Sequence, residues 1–142
     1  MLTNLEVNEL VFKWYRKLDV HVKVEEILPM LISNGLEMRF PEATLNTIEE
    51  FKEWYRVVTN RFFDEAHTLC MVNVDSDQNQ ATVKIVVNWQ AKIWDAPDAK
   101  SKWIGFDAYQ TWIVKKDPNS GKAVIATYIV DSLQPMEGSA SI

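Results

Sequence analysis

Few residues in this chain can move protons, and their positions narrow the chemistry. There are two histidines, His21 and His67, in 142 residues. Imidazole is the side chain that changes charge near neutral pH without a special environment. His67 opens the run Thr68-Leu69-Cys70-Met71-Val72-Asn73-Val74. Burial there would disfavour the protonated ring and keep it a competent base. Its direction stays open, because His67, Leu69 and Met71 share one strand face while Cys70, Val72 and Val74 share the other. Asp19 and His21 lie two residues apart between two helical segments. They could place an acid and an imidazole at the mouth of a cavity; the ordinary reading is a helix stop and a loop residue. Two histidines this far apart, with no carboxylates clustered around either, make no metal-ligand set. Cys70 is the one cysteine, so no intrachain disulfide forms; it reads as a small buried hydrophobe.

Aromatic rings are the second signal. The chain has six Trp, six Phe and four Tyr against four Gly. Trp14, Phe51, Tyr55, Trp89, Phe106 and Tyr128 fall at core spacing and are packing residues first. A buried Trp or Tyr still has an N–H or O–H that needs a partner. A few polar atoms on apolar walls are what bind a small ligand. With Met38, Phe40, Trp54 and Tyr109 these rings form the candidate ligand-binding set. Tyr15, Tyr55 and Tyr109 are candidates to orient a carbonyl or hydroxyl. If Trp94, Trp103 and Trp112 share the convex face of the sheet, they form an outer apolar patch, and such patches mark interfaces.

The elements that must position these groups follow from periodicity. Thr3 and Glu6 frame a capping box. Val7, Leu10, Val11, Trp14 and Leu18 then recur at helical spacing, predicting a helix over 5–18. Val24, Ile27, Leu28 and Leu31 predict a shorter helix in which Pro29 forces a kink or restart, stopped by Asn34-Gly35. Residues 36–40 alternate as a short strand with Leu36, Met38 and Phe40 inward. Thr47 and Glu50 frame a second capping box, before a helix over 48–61. Strands are expected at 67–74, 81–94, 102–115 and 122–132. Asp117-Pro118-Asn119-Ser120-Gly121 joins the last two as a hairpin loop. Gly105 suggests a bend or bulge, and the tail 134–142 is expected to fray. Segregated helices and strands mean α+β, with helices packed in the concave face of a strongly curved antiparallel or mixed sheet.

Length and charge bound the rest. The chain is one domain's worth, 1–142, at 16.5 kDa. Net charge is −5, with no basic run longer than Lys115-Lys116, so nucleic acid is excluded as an expected partner. The N-terminus lacks the basic start and long apolar run of a signal peptide. No apolar stretch is long enough for a membrane span. A cytoplasmic address is the expectation.

The order of elements resembles the nuclear transport factor 2-like superfamily, also called cystatin-like or SnoaL-like. The resemblance covers about residues 5–133. It rests on the first helix ending at Leu18-Asp19, the Thr47–Tyr55 segment, Ala66-His67-Thr68-Leu69, Gln110–Val114 and Ile125–Val130. It implies a cone-shaped half-barrel with a deep apolar pocket, and a homodimer formed through the outer sheet face. In the scytalone dehydratase branch a pocket histidine opens the strand that matches His67, so by resemblance His67 is a general base. That branch has a second pocket histidine before a Gln; the matching residue here, before Gln90, is Trp89, so the pair is incomplete. A steroid-isomerase resemblance would need a carboxylate base near the first strand, where Glu37 and Glu42 read as solvated, while Tyr15 and Asp107 could mimic parts of its donor set. The implied function is binding of a small hydrophobic molecule, with cofactor-free lyase or isomerase chemistry carried by His67, Tyr15 and Asp19. The rival is a non-catalytic interaction module whose hollow its own aromatics fill.

Overall fold

In the computed structural model, residues 2–142 are described. Helix α1 (Asn4–Asp19) begins at a complete capping box: Thr3 N–H donates to Glu6 Oε1 at 2.7 Å and Glu6 N–H to Thr3 Oγ1 at 3.1 Å. Its Val7, Leu10, Val11, Trp14, Tyr15 and Leu18 are buried on one stripe. Helix α2 (Val24–Ile27) gives way at Pro29 to a 3₁₀ turn over Leu28–Met30, since proline cannot continue the α ladder. Helix α3 (Ile48–Arg61) is capped by Thr47, whose Oγ1 accepts from Glu50 N–H at 3.1 Å. The return bond is shifted by one residue, because the Glu50 carboxylate takes the Asn46 N–H at 2.9 Å.

Six strands form one open sheet in the order β2-β1-β6-β5-β4-β3. These are β1 (Glu37–Arg39), β2 (Thr44–Leu45), β3 (Phe63–Ser76), β4 (Gln80–Ile93), β5 (Lys102–Lys116) and β6 (Ala123–Pro135). β1 pairs parallel to β6; every other neighbour is antiparallel. The α+β class and mixed sheet agree with the periodicity. The two-residue β2 was not expected, being too short to show a pattern.

Register decides which side chains reach the hollow. β3 is four residues longer at its start than the 67–74 reading, and it bulges between Phe63 and Ala66 and again between Leu69 and Met71. The second bulge resolves the open question of phase. Glu65, His67 and Leu69 face inward before it, and Val72 and Val74 after it. Cys70 is left on the outside, so the buried-hydrophobe reading of this residue is corrected: it is exposed. Trp112 is corrected the other way. It alternates with Phe106, Ala108, Gln110 and Val114 on the inner face of β5 and is fully buried. It cannot belong to an outer patch; Trp94 is exposed.

The tail does not fray as expected. Met136 N–H donates to Gly105 O at 2.9 Å, Gly105 N–H to Ser139 Oγ at 2.9 Å, and Ala140 N–H to Trp103 O at 3.0 Å. Gly105 makes this possible by close approach rather than by a bulge, since β4–β5 pairing runs through it unbroken. A Cβ there would lie 2.5 Å from the Trp103 ring and 2.8 Å from Met136 Sδ.

The main core joins the buried stripes of α1 and α3 to the inner face of β4, β5 and β6. At its centre Trp14 meets Phe51 at 5.9 Å, Tyr128 at 5.7 Å and Trp112 edge-on at 6.2 Å. Offset and edge arrangements of this kind add about 0.5–1.5 kcal/mol per pair beyond burial.

Candidate active site

A cavity of about 110 Å³ opens beside this core. An enclosed void of about 150 Å³ holds benzene, so the space suits one small ring with part of the ligand in the open mouth. Phe40, Trp54, Phe62, Val130 and Leu133 form apolar wall, and Glu65, His67, Trp89, Gln110 and Tyr128 bring polar atoms to it.

His67 is set by Asp19. The Asp19 carboxylate accepts from His67 Nδ1 at 2.6 Å through Oδ1 and from the His67 backbone N–H at 3.1 Å through Oδ2. Asp19 is the last residue of α1, where the helix dipole places partial negative charge that disfavours a carboxylate. The two donors of His67 offset that. With the carboxylate ionised, Nδ1 must carry the proton and Nε2 keeps its lone pair. Tyr15 stacks on the ring at 5.0 Å, and Trp89 lies nearly parallel to it at 6.1 Å. The imidazole is therefore held in plane, tautomer and direction.

Gln110 forms a second polar point. It is the one buried polar or charged residue of the described chain. Its Oε1 accepts from Tyr15 Oη at 2.7 Å and from Trp112 Nε1 at 3.0 Å. An indole N–H can only donate, so the amide oxygen is fixed toward Trp112 and the NH₂ is turned to the side of the Tyr128 hydroxyl on the cavity wall. Burial first, then the charge of Tyr128, holds the Tyr15 hydroxyl well above the usual phenol range. It stays a neutral donor. Burial likewise raises Tyr128, whose hydroxyl faces Trp14, Tyr15 and Gln110. The Trp14 Nε1 has no hydrogen-bond partner among the described residues.

Glu65 is the third. Its Oε1 accepts from Trp89 Nε1 at 3.0 Å, and its Oε2 meets His21 Nε2.

Of the candidates named from the sequence, His67, Phe40, Trp54, Trp89 and Tyr128 line the cavity. Asp19 and Tyr15 stand one layer behind and hold lining residues. Trp14, Met38 and Phe51 do not line it; they are fully buried packing. Tyr55 is also diverted: its hydroxyl donates to Val22 O at 2.6 Å and holds the α1–α2 turn. Phe106 stacks behind Trp89 at 6.0 Å. Tyr109 is placed outside, 44% exposed on the opposite sheet face, because it alternates with Gln110. Asp107 also lies on that face and accepts from Asn88 Nδ2 at 2.9 Å. Among the described residues no three His, Cys, Asp or Glu gather as metal ligands. No described helix is long and apolar enough to cross a membrane.

Sequence reading missed Glu65 and Gln110. Glu65 lay in a stretch, Phe62-Phe63-Asp64-Glu65, whose paired aromatics and paired acids hide the alternation. Gln110 carried a usable signal: a lone amide in the inward series Phe106, Ala108, Gln110, Trp112, Val114.

A scan against protein-family models finds no match, and a search of curated proteins finds none. Solved structures do match. A protein of unknown function with a cystatin-like fold from Nostoc punctiforme is 17% identical, covering 97% of this chain and 96% of its own, at a TM-score of 0.68. A proposed dehydratase of the NTF2-like family from Streptomyces avermitilis is 13% identical over 93% of this chain and 95% of its own, at 0.75. A hexachlorocyclohexane dehydrochlorinase from Novosphingobium barchaimii is 12% identical over 97% and 92%, also at 0.75.

Proposed function

We propose that this chain, which has the cystatin-like, NTF2-like fold, binds a small and mostly apolar molecule and removes a proton from carbon with His67, as a cofactor-free lyase or isomerase. The observation that supports this most directly is the 2.6 Å contact between Asp19 Oδ1 and His67 Nδ1 beneath a cavity-lining ring. Asp19 keeps Nε2 free to take a proton and stabilises the imidazolium that results. The Gln110 NH₂ and the Tyr128 hydroxyl offer donors to a carbonyl or hydroxyl oxygen, where charge would develop as the proton leaves. Structural neighbours described as a dehydratase and a dehydrochlorinase add support for elimination chemistry on this fold.

Ring opening of nitrobenzisoxazole tests the base alone, because it needs proton abstraction in an apolar site and its phenolate leaves unaided. The wild-type protein should accelerate it. His67→Ala should lose about 10²–10⁴-fold, the usual range for a positioned base, while keeping its thermal melt. Equal rates in the two proteins overturn the reading.

The rival reading, a hollow sealed by its own aromatics for protein interaction, is disfavoured by the polar atoms that Glu65, His67 and Gln110 bring to the cavity wall.

A further inference from the structure

A second imidazole–carboxylate pair stands beside the first, and it runs the other way round. Asp19 and His21 come from the end of α1, and Glu65 and His67 from β3. Each acid takes the other segment's histidine: Asp19 holds His67, and His21 holds Glu65. In the first pair the imidazole lines the cavity; in the second the carboxylate does. Side-chain exposure follows the same split, 10% and 9% for His67 and Glu65 against 21% and 27% for Asp19 and His21.

Two left-handed residues bring the second pair together. His21 (φ +51°) closes α1, its N–H donating to Leu18 O at 3.2 Å and the Val22 N–H to Lys17 O at 3.3 Å. Asp64 (φ +49°), next to Glu65, lies in the first bulge of β3. They are the only non-glycine residues at positive φ among those described. Trp89 then fixes how Glu65 is used. Its Nε1 can only donate, so Oε1 is held as an acceptor and any proton on this group lies on the Oε2 side, shared with His21 Nε2. Around Glu65 stand His21 from the α1–α2 turn, His67 on its own strand and Tyr55 of α3, whose hydroxyl feels the Glu65 charge. Glu42 is the remaining charged group on the cavity wall, and no Lys or Arg lines it.

We propose that Glu65 is a second proton-exchanging group of the cavity, loaded through His21, and that it acts as the acid opposite the His67 base. This rests on the elimination reading above. The step balances. His67 Nε2 takes the proton of a C–H bond, and that bond's electron pair becomes the new C=C bond. The C–O bond on the neighbouring carbon breaks, and its oxygen takes the proton shared by Glu65 and His21 and leaves as water. His21 then carries a solvent proton back to Glu65, and His67 releases its own. Trp89 orients the carboxyl for this role.

Two readouts test it. The chain has two histidines, so NMR of the imidazole rings reduces to two spin systems. Glu65→Gln should change the protonation pattern of His21 and leave that of His67; Asp19→Asn should do the reverse. A His21 ring unmoved by Glu65→Gln overturns the shared proton. His21→Asn, which removes the other partner, serves if Glu65→Gln does not fold. The second readout compares nitrobenzisoxazole ring opening with loss of water from diacetone alcohol. Glu65→Gln should lose the second reaction by at least about 30-fold more than it loses the first; His67→Ala should lose both. Equal loss, or no loss, of both reactions in Glu65→Gln overturns the acid role. If the wild type catalyses neither reaction, the base reading falls and the acid role with it, and the ring spectra alone decide the shared proton.

Discussion

Two neighbouring parts of the hollow use the same residue types to opposite ends. Around Trp14, rings meet rings: Trp112 stacks on Tyr128 at 5.1 Å and Phe51 packs on Tyr55 at 5.8 Å. Around His67, rings meet carboxylates: Asp19 takes one imidazole, and Glu65 takes the other together with the Trp89 indole. Trp89 and Trp112 link the two regions. Each donates one N–H to a flexible acceptor and so fixes which atom of that acceptor faces the cavity. A tryptophan that reads as packing can therefore be the group that aims a reactive side chain.

The comparison breaks most visibly at Trp112. Trp112→Glu places a charge among Trp14, Tyr15 and Tyr128 and strips a donor from Gln110. The cost should exceed about 3–5 kcal/mol, the range for truncating a buried Trp to Ala, against a total stability of about 5–15 kcal/mol. Loss of cooperative melting by circular dichroism is expected; a folded protein with an unchanged melt would mean Trp112 faces outward.

Alkali should act next. Tyr15, Tyr55 and Tyr128 are all raised, chiefly by burial, with Tyr55 at about 12. An unfolded tyrosine ionises near pH 10 (about). Above that the unfolded chain binds fewer protons than the folded one, so stability falls as pH rises. The stabilisation is fully present below about pH 10. Melting temperature should decline through this range, less steeply in Tyr55→Phe. A flat profile would show that these phenols are solvated.

Tyr15→Phe sharpens the contrast, because it deletes one donor to Gln110 and leaves the ring on His67. A loss of about 1 kcal/mol is expected in chemical denaturation. A loss several times larger would mean that Trp112 alone cannot hold the amide. Smallest is Cys70→Ser, within about 0.5 kcal/mol, since the residue is exposed. A marked destabilisation would place the thiol inside.

The helices were legible because their stripes and caps are local: Thr3–Glu6 and Thr47–Glu50 mark both long helices before any packing is known. The long strands β4, β5 and β6 were legible from alternation. His67 and Asp19 could each be nominated by chemistry, but not their pairing, which depends on α1 crossing β3 at a separation of 48 residues. Glu65 was hidden because a bulge removes the period that marks a strand. Trp112 went to the wrong face because its ring type weighed more than its step from Gln110 and Val114. The tail was misread because its anchor is a missing side chain, the space that Gly105 leaves for Trp103 and Met136.

The extra residue at Cys70 gives β3 two independent phases. Deleting it would join them into one alternation that keeps Glu65, His67 and Leu69 on the side of Val72 and Val74. A full-length strand without the bulge would instead alternate back from Val74 and Val72 through Cys70, Thr68 and Ala66, sending Glu65 and His67 toward solvent. Reactivity and packing on this strand are thus uncoupled by a single residue.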